Sequence, residues 1–203
     1  MAEFNIQRIG RSMAEVQIEG TAPLIVNRFD EKSRQMMEDA QAGKKKIREP
    51  KNPLDCFERS LYHLPGDRYG FPATGFKAAI VDASRFFDKS VTSVALRQMI
   101  YVQGEGSDLL IPIDGTPKMR TDTVRNQTGV ADIRYRGEFW PWRATLQVVF
   151  IRNMFDLGSI IALIDAAGIG GVGEWRPSSK QSKTGMYGTF QVVDEQNARV
   201  VDL

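Results

Sequence analysis

Apolar and polar positions alternate through Ala14, Glu15, Val16, Gln17, Ile18 and Glu19, the period of two that marks a strand with one wet face. Gly20 and Pro23 end or kink it, and residues 24–29 continue as a second apolar piece. Asp30 is placed to cap a helix through about Ala42, where Met36, Met37 and Ala40 form a weak stripe before Gly43 stops it. Pro53 suits the first turn of a short helix over 53–62, and Pro65, Gly66 and Asp67 make a turn before a short strand at 69–71. Thr74 is placed to cap the best-defined helix, in which Phe76, Ala79, Ile80, Ala83 and Phe87 fall at helical spacing and Lys77 and Arg85 lie off the stripe. After a short helical segment through Leu96, residues 99–103 and 109–113 read as strands paired about Gly104, Glu105, Gly106 and Ser107. Apolar periodicity then fades from Asp114 to Gly137, which predicts a long loop or a projecting hairpin. Residues 143–151 form a strand with Leu146, Val148 and Phe150 on one face. Residues 157–167 form a helix capped by Asp156 and stopped by Gly168, and 187–193 form a last strand.

Strand, helix, further strands, helix and final strand in that order predict one α+β domain over 1–203. The expected architecture is a ferredoxin-like or RRM-like core, an antiparallel sheet with helices on one face, carrying large insertions at about 41–53 and 114–142. With 203 residues, 42% of them hydrophobic and 26% charged, the chain can bury a real core, which excludes disorder of the whole. Cys56 is the single cysteine, so no intrachain disulfide forms. No window approaches the roughly 18 apolar residues of a membrane span and the start has no apolar leader, so a cytoplasmic location is expected.

Net charge is only +2, but the cations are clustered. Lys44, Lys45, Lys46, Arg48 and Lys51 face one acid, Glu49, in a run that reads either as a solvated loop or as a phosphate-contacting segment. From Lys118 to Arg143 there are six cations, Lys118, Arg120, Arg125, Arg134, Arg136 and Arg143, against Asp122, Asp132 and Glu138. The third cluster, Arg176, Lys180 and Lys183, lies in the stretch from Gly168 to Gly188. That stretch holds six glycines, including Gly170, Gly171 and Gly173, together with Trp175 and Tyr187. Glycine at this density lets a backbone approach another backbone or a sugar-phosphate chain closely. Cations would then hold phosphates and an aromatic ring a base. Composition alone leaves this stretch balanced between a ligand cradle and a mobile surface loop. The glycines follow a helix and precede a strand, so they do not form the usual dinucleotide fingerprint. Tyr135, Phe139, Trp140 and Trp142, interleaved with arginines, fit either a stacking platform or core; Trp142 is assigned to the core.

Helix, Gly-rich loop and a Gly-x-Phe strand resemble the C-terminal signature of the RAMP superfamily, whose RRM-fold members include the Cas7-like backbone subunits of CRISPR effector complexes. Phe71, Pro72, Ala73, Thr74, Gly75, Phe76, Lys77, Ala78 and Ala79 resemble a second family segment, in which a short strand and a proline lead into a helix. The resemblance covers about the last two thirds of the chain. It implies an RRM-like palm with an inserted finger that grips single-stranded DNA or RNA and packs side by side along the strand. Lys77, Gly170, Gly171, Gly173, Arg176 and Lys180 would line the groove, and Arg120, Arg125, Arg134 and Arg136 would sit on the insertion. The chain is much shorter than those subunits, which makes a stand-alone relative, such as a phage-encoded single-strand-binding protein, at least as good a match.

No catalytic constellation accompanies these features. His63 is the only histidine, in an ordinary turn context, and Cys56 reads as a small core residue. No Cys or His pair has zinc-ligand spacing, so neither metal nor cofactor is expected. Some RAMP subunits cut RNA with an aspartate in an early loop, for which Asp30 is the positional candidate, but helix capping is its commoner role. The sequence thus predicts a non-enzyme that coats single-stranded nucleic acid as a homo-oligomer or filament. Its contacts would be Lys44, Lys45, Lys46, Lys77, Arg120, Arg125, Arg134, Arg136, Trp140, Gly170, Gly171, Gly173, Trp175, Arg176, Lys180 and Lys183. The rival expectation is a structural or assembly protein whose basic finger and Gly-rich loop join subunits.

Overall fold

The computed structural model describes residues 8–29, 31–44, 50–88, 92–125, 129–193 and 198–203. In chain order the elements are β1 (Arg11–Gly20), β2 (Leu24–Val26), α1 (Glu31–Gln41), α2 (Pro53–Ser60), β3 (Tyr62–Leu64), β4 (Arg68–Pro72) and α3 (Ala73–Asp82). After a 3-10 turn at Ala83–Phe86 come α4 (Ser93–Met99), β5 (Ile100–Val102), β6 (Leu110–Ile113), β7 (Pro117–Arg125) and β8 (Ala131–Phe139). The chain ends with β9 (Arg143–Ile151), α5 (Leu157–Gly170), β10 (Phe190–Val192) and β11 (Arg199–Asp202).

The main sheet runs β10-β1-β9-β5, antiparallel throughout, and α3 and α5 are the helices of its two crossovers. Counting only these four strands, the order is fourth, first, third, second, which is that of a ferredoxin-like or RRM-like core. Period-two patterning builds it. Ala14, Val16 and Ile18 on β1 and Leu146, Val148 and Phe150 on β9 are buried in one cluster with Phe76 and Ile80 of α3 and Ile160 and Ile164 of α5. The opposite face is polar, with Glu15 opposite Gln147, Gln17 opposite Thr145 and Glu19 opposite Arg143. Edge-to-face contacts run from Phe71 to Phe76 (5.7 Å), Phe76 to Phe190 (5.9 Å) and Phe190 to Trp142 (6.2 Å). Each such pair adds about 0.5–1.5 kcal/mol beyond the area it buries. Trp142 is core as expected, its indole N–H donating to Ala22 O at 2.9 Å.

Two smaller sheets flank this core, β2-β8-β7 and β3-β4-β6. The region of weak periodicity is the β7–β8 hairpin, and α2 packs on β8, where the Gly137 N–H donates to Ser60 Oγ at 2.8 Å. Among the described residues no helix is long and apolar enough to cross a membrane.

Several local expectations are corrected. The strands expected to pair about residues 104–107 go to different sheets, β5 to β9 and β6 to β4, with a single bridge between Glu105 and Leu110. Both runs are apolar enough to be buried, and periodicity does not say against which neighbour. Helix α2 ends at Ser60 rather than residue 62, because Leu61 is wholly buried and the chain turns into β3. Thr74 does not cap α3, which starts at Ala73, two residues earlier than that cap implies, straight from Pro72. Asp156 does cap α5, accepting from the Ser159 N–H at 2.7 Å. The helix passes through Gly168, where a side chain would run into Phe190 O, and stops at Gly171. The last strand is shorter than expected, and β11, which the sequence reading did not anticipate, pairs with the other half of β1.

Candidate nucleic-acid interface

The two segments singled out in the sequence, about 100 residues apart, meet across a groove of about 180 Å³. One wall is α3, with Gly75, Ala78, Ala79 and Asp82; the other is the Gly-rich loop, with Val172, Gly173, Glu174, Arg176 and Ser178. Ile25, Asn27, Tyr62 and Phe71 complete the lining. Burial pushes the Tyr62 hydroxyl pKa above its ordinary value, against the opposing pull of Arg28.

Hydrogen bonds from Glu174 N–H to Ile25 O (2.9 Å), from Gly188 N–H to Pro23 O (2.8 Å) and from Val172 N–H to Gly188 O (2.9 Å) bind the loop to the β2 segment and to itself. Its glycines serve this internal nesting. At Gly188 (φ 67°) an added Cβ would sit 1.8 Å from Val172 O, and at Gly173 (φ 79°) 2.6 Å from Ile25 O. Of the three loop glycines expected at a groove, Gly173 lines it. Gly171 is buried, Gly173 reaches the groove only as wall backbone, and Gly170 lies beside Ser178. What the loop offers a ligand is its side chains: half-buried Arg176, whose Nη1 donates to Gly173 O at 2.8 Å, and exposed Lys180 and Lys183.

The base of the β7–β8 hairpin docks onto the same loop. Arg120 and Arg136 are direct cross-strand neighbours, a repulsive pairing unless neutralised. Arg120 donates to Asp122 Oδ1 (2.8 Å), Glu138 Oε2 (2.6 Å) and the Tyr187 hydroxyl (3.1 Å), and lies 4.7 Å from the Tyr187 ring centre. Burial disfavours its charge, but the bonds to Glu138, Asp122 and Tyr187 together outweigh that and hold its pKa above the ordinary value. Arg136 is buried with its guanidinium 5.1 Å from the Trp175 ring centre and 3.6 Å from Glu174. Among the described residues, its Nε and Nη1, and Asp122 Oδ2, have no hydrogen-bond partner. Trp175 sits at φ 52°, so its backbone is strained where the arginines take up its ring. Two expected strand contacts, Arg120 and Arg136, and the expected base platform Trp175 are thus engaged with one another.

The distal hairpin carries exposed Arg125 and Arg134, Arg134 bonded to Asp132 at 2.8 Å. Asp132 also accepts from Lys51, which holds its carboxyl below the usual range. Lys77 is half-buried and off the groove wall, and Lys44 is exposed and paired with Asp39 at 2.8 Å. Lys45, Lys46 and Asp30 lie outside the described residues. Trp140 is exposed, whereas Phe139 and Trp142 are buried, so the expected aromatic platform is divided between surface and core. Sequence reasoning missed Asn27, Tyr62, Asp82 and Glu174, since no local pattern brings them to one place. It also missed a cleft of about 970 Å³ between the polar sheet face and β3-β4-β6, lined by Gln17, Gln103, Gln147, Tyr69 and Arg68 among others. Among the described residues, no three Cys, His, Asp or Glu side chains come together to hold a metal.

No known family model matches the sequence, and no characterised protein matches it. Among solved structures, one similar chain comes from a type III-B Cmr-beta complex bound to cognate target RNA, solved by electron cryo-microscopy. Identity is 11% and the TM-score 0.45, over 95% of this chain and 61% of that one, so this chain spans less than two thirds of its neighbour's length.

Proposed function

We propose that the chain binds single-stranded nucleic acid without cutting it and assembles along the strand with further copies of itself. The observation that carries this reading is the meeting of segments 71–79 and 168–188 at one groove, with the arginine-bearing hairpin docked beside it. Those are the segments whose sequence resembles the strand-gripping parts of the RAMP superfamily. With the glycines engaged inside the protein, grip falls to side chains: Arg176, Lys180 and Lys183 on the loop, and Lys118, Arg125 and Arg134 on the hairpin. Phosphate neutralisation releases counterions, so affinity falls with salt. For about four phosphates contacted on a single strand, a rise from about 50 to 200 mM salt weakens binding roughly fifty-fold. Fluorescence-anisotropy titration of labelled oligothymidine and oligouridine at those two salt concentrations tests this. Absence of binding to both at low salt overturns the reading.

A further inference from the structure

We propose that the groove between α3 and the Gly-rich loop is a subsite for a single unstacked nucleobase, and that its preferred occupant is guanine; this rests on the single-strand reading above. The first argument is size. At about 180 Å³ the groove is small, which suits one flat ring rather than a stacked run of bases. The second is shape. Gly75, Ala78 and Ala79 leave the helix wall without long side chains, and the half-buried Tyr62 and the edge of Phe71 are the aromatic residues that border the groove.

Polarity selects among the bases. Asp82 and Glu174 are acceptors only, and among the described residues their side chains meet Arg85 at 3.5 Å and Arg136 at 3.6 Å, both too long for a tight ion pair, so lone pairs face the groove's occupant. Asn27 and Arg176 add donors. Guanine presents two adjacent donors, N1–H and the 2-amino group, to a single carboxylate, beside O6, which accepts from an amide or guanidinium. Thymine and uracil present one donor between two carbonyls, which a carboxylate repels. Adenine and cytosine offer an amino group next to a ring acceptor, which again faces the carboxylate badly.

The test uses a short oligothymidine in which one central residue is guanosine, adenosine, thymidine or abasic, titrated by anisotropy in low salt. The wild-type protein is expected to bind the guanosine form about tenfold more tightly than the thymidine and abasic forms, the scale of one bidentate base contact. Ala78→Leu, a helix-compatible change at an exposed position, fills the slot and brings that ratio to about one; Asp82→Asn with Glu174→Gln does the same by removing the acceptors. Lys180→Glu weakens all four oligonucleotides by a similar factor and leaves the ratio intact. Equal wild-type binding of the four overturns the subsite while leaving strand binding standing, as does a preference that survives Ala78→Leu. No binding of any of them overturns the strand reading, and the subsite with it.

Discussion

At Gly188 the backbone is left-handed and Val172 O occupies the place of a Cβ, whereas Gly43 has a similar φ of 73° with no described residue within 4 Å of that place. Both positions cost an alanine about 1–2 kcal/mol of left-handed strain; only Gly188 adds a clash that backbone must relieve. Gly188→Ala is therefore expected to destabilise by more than about 3 kcal/mol and Gly43→Ala by about 1–2 kcal/mol, read from urea midpoints. Equal losses would mean that the loop is not nested as described. The two hairpin arginines differ in the same way. Arg120→Met leaves Asp122, 8% exposed, without its guanidinium, at a cost of about 2–3 kcal/mol. Arg136→Met keeps an apolar chain against Trp175, removes two buried nitrogens without a hydrogen-bond partner among the described residues, and gives up only a 3.6 Å contact to the partly exposed Glu174, so its cost is expected to stay below about 1 kcal/mol. The same denaturant titration ranks them, and a larger loss at Arg136 would contradict the assignment.

Among the elements, α5 shows how a cap couples stability to pH. Hydrogen bonds from Ser159, the backbone N–H first, hold the Asp156 carboxyl below its ordinary range. A carboxylate with a lowered folded-state pKa stabilises fully above its unfolded value, about 3.9 for Asp, and loses that contribution as pH falls through the folded value. Asp132 and Glu105, lowered by Lys51 and Arg68, act in the same direction. Stability is expected to decline below about pH 4, and Asp156→Asn to make the acid limb shallower. Thermal melts between about pH 5 and 2.5 check this, and an unchanged limb would remove the cap from the account. Helix α5 and strands β1 and β9 were legible in advance because each has a long, regular apolar period and, for α5, a cap residue. The β5, β6 and β11 partners were not. Three or four residues fix no register of their own, and pairing is decided by which edge the rest of the fold leaves open.

For the molecule as a whole, the sequence by itself pointed to the ferredoxin-like class, the two crossover helices and the core role of Trp142, and left residues 114–137 open between a long loop and a hairpin. These follow from periodicity, caps and turn residues acting over a few neighbours. It also marked the two segments that form the groove, through their composition and the family they resemble. Only the tertiary structure decided how those segments are used. Their glycines close backbone against backbone inside the protein, and the Arg120 guanidinium lies against the Trp175 and Tyr187 rings and that of Arg136 against Trp175. Asn27, Tyr62, Asp82 and Glu174 gather from four separate stretches into one lining. The reason is physical: a residue's spacing records which face of its own element it occupies, but the partner across a gap is set by long-range packing, and in this chain that packing engaged Arg120, Arg136 and Trp175 with one another while Arg125, Arg134, Lys180 and Lys183 stay exposed.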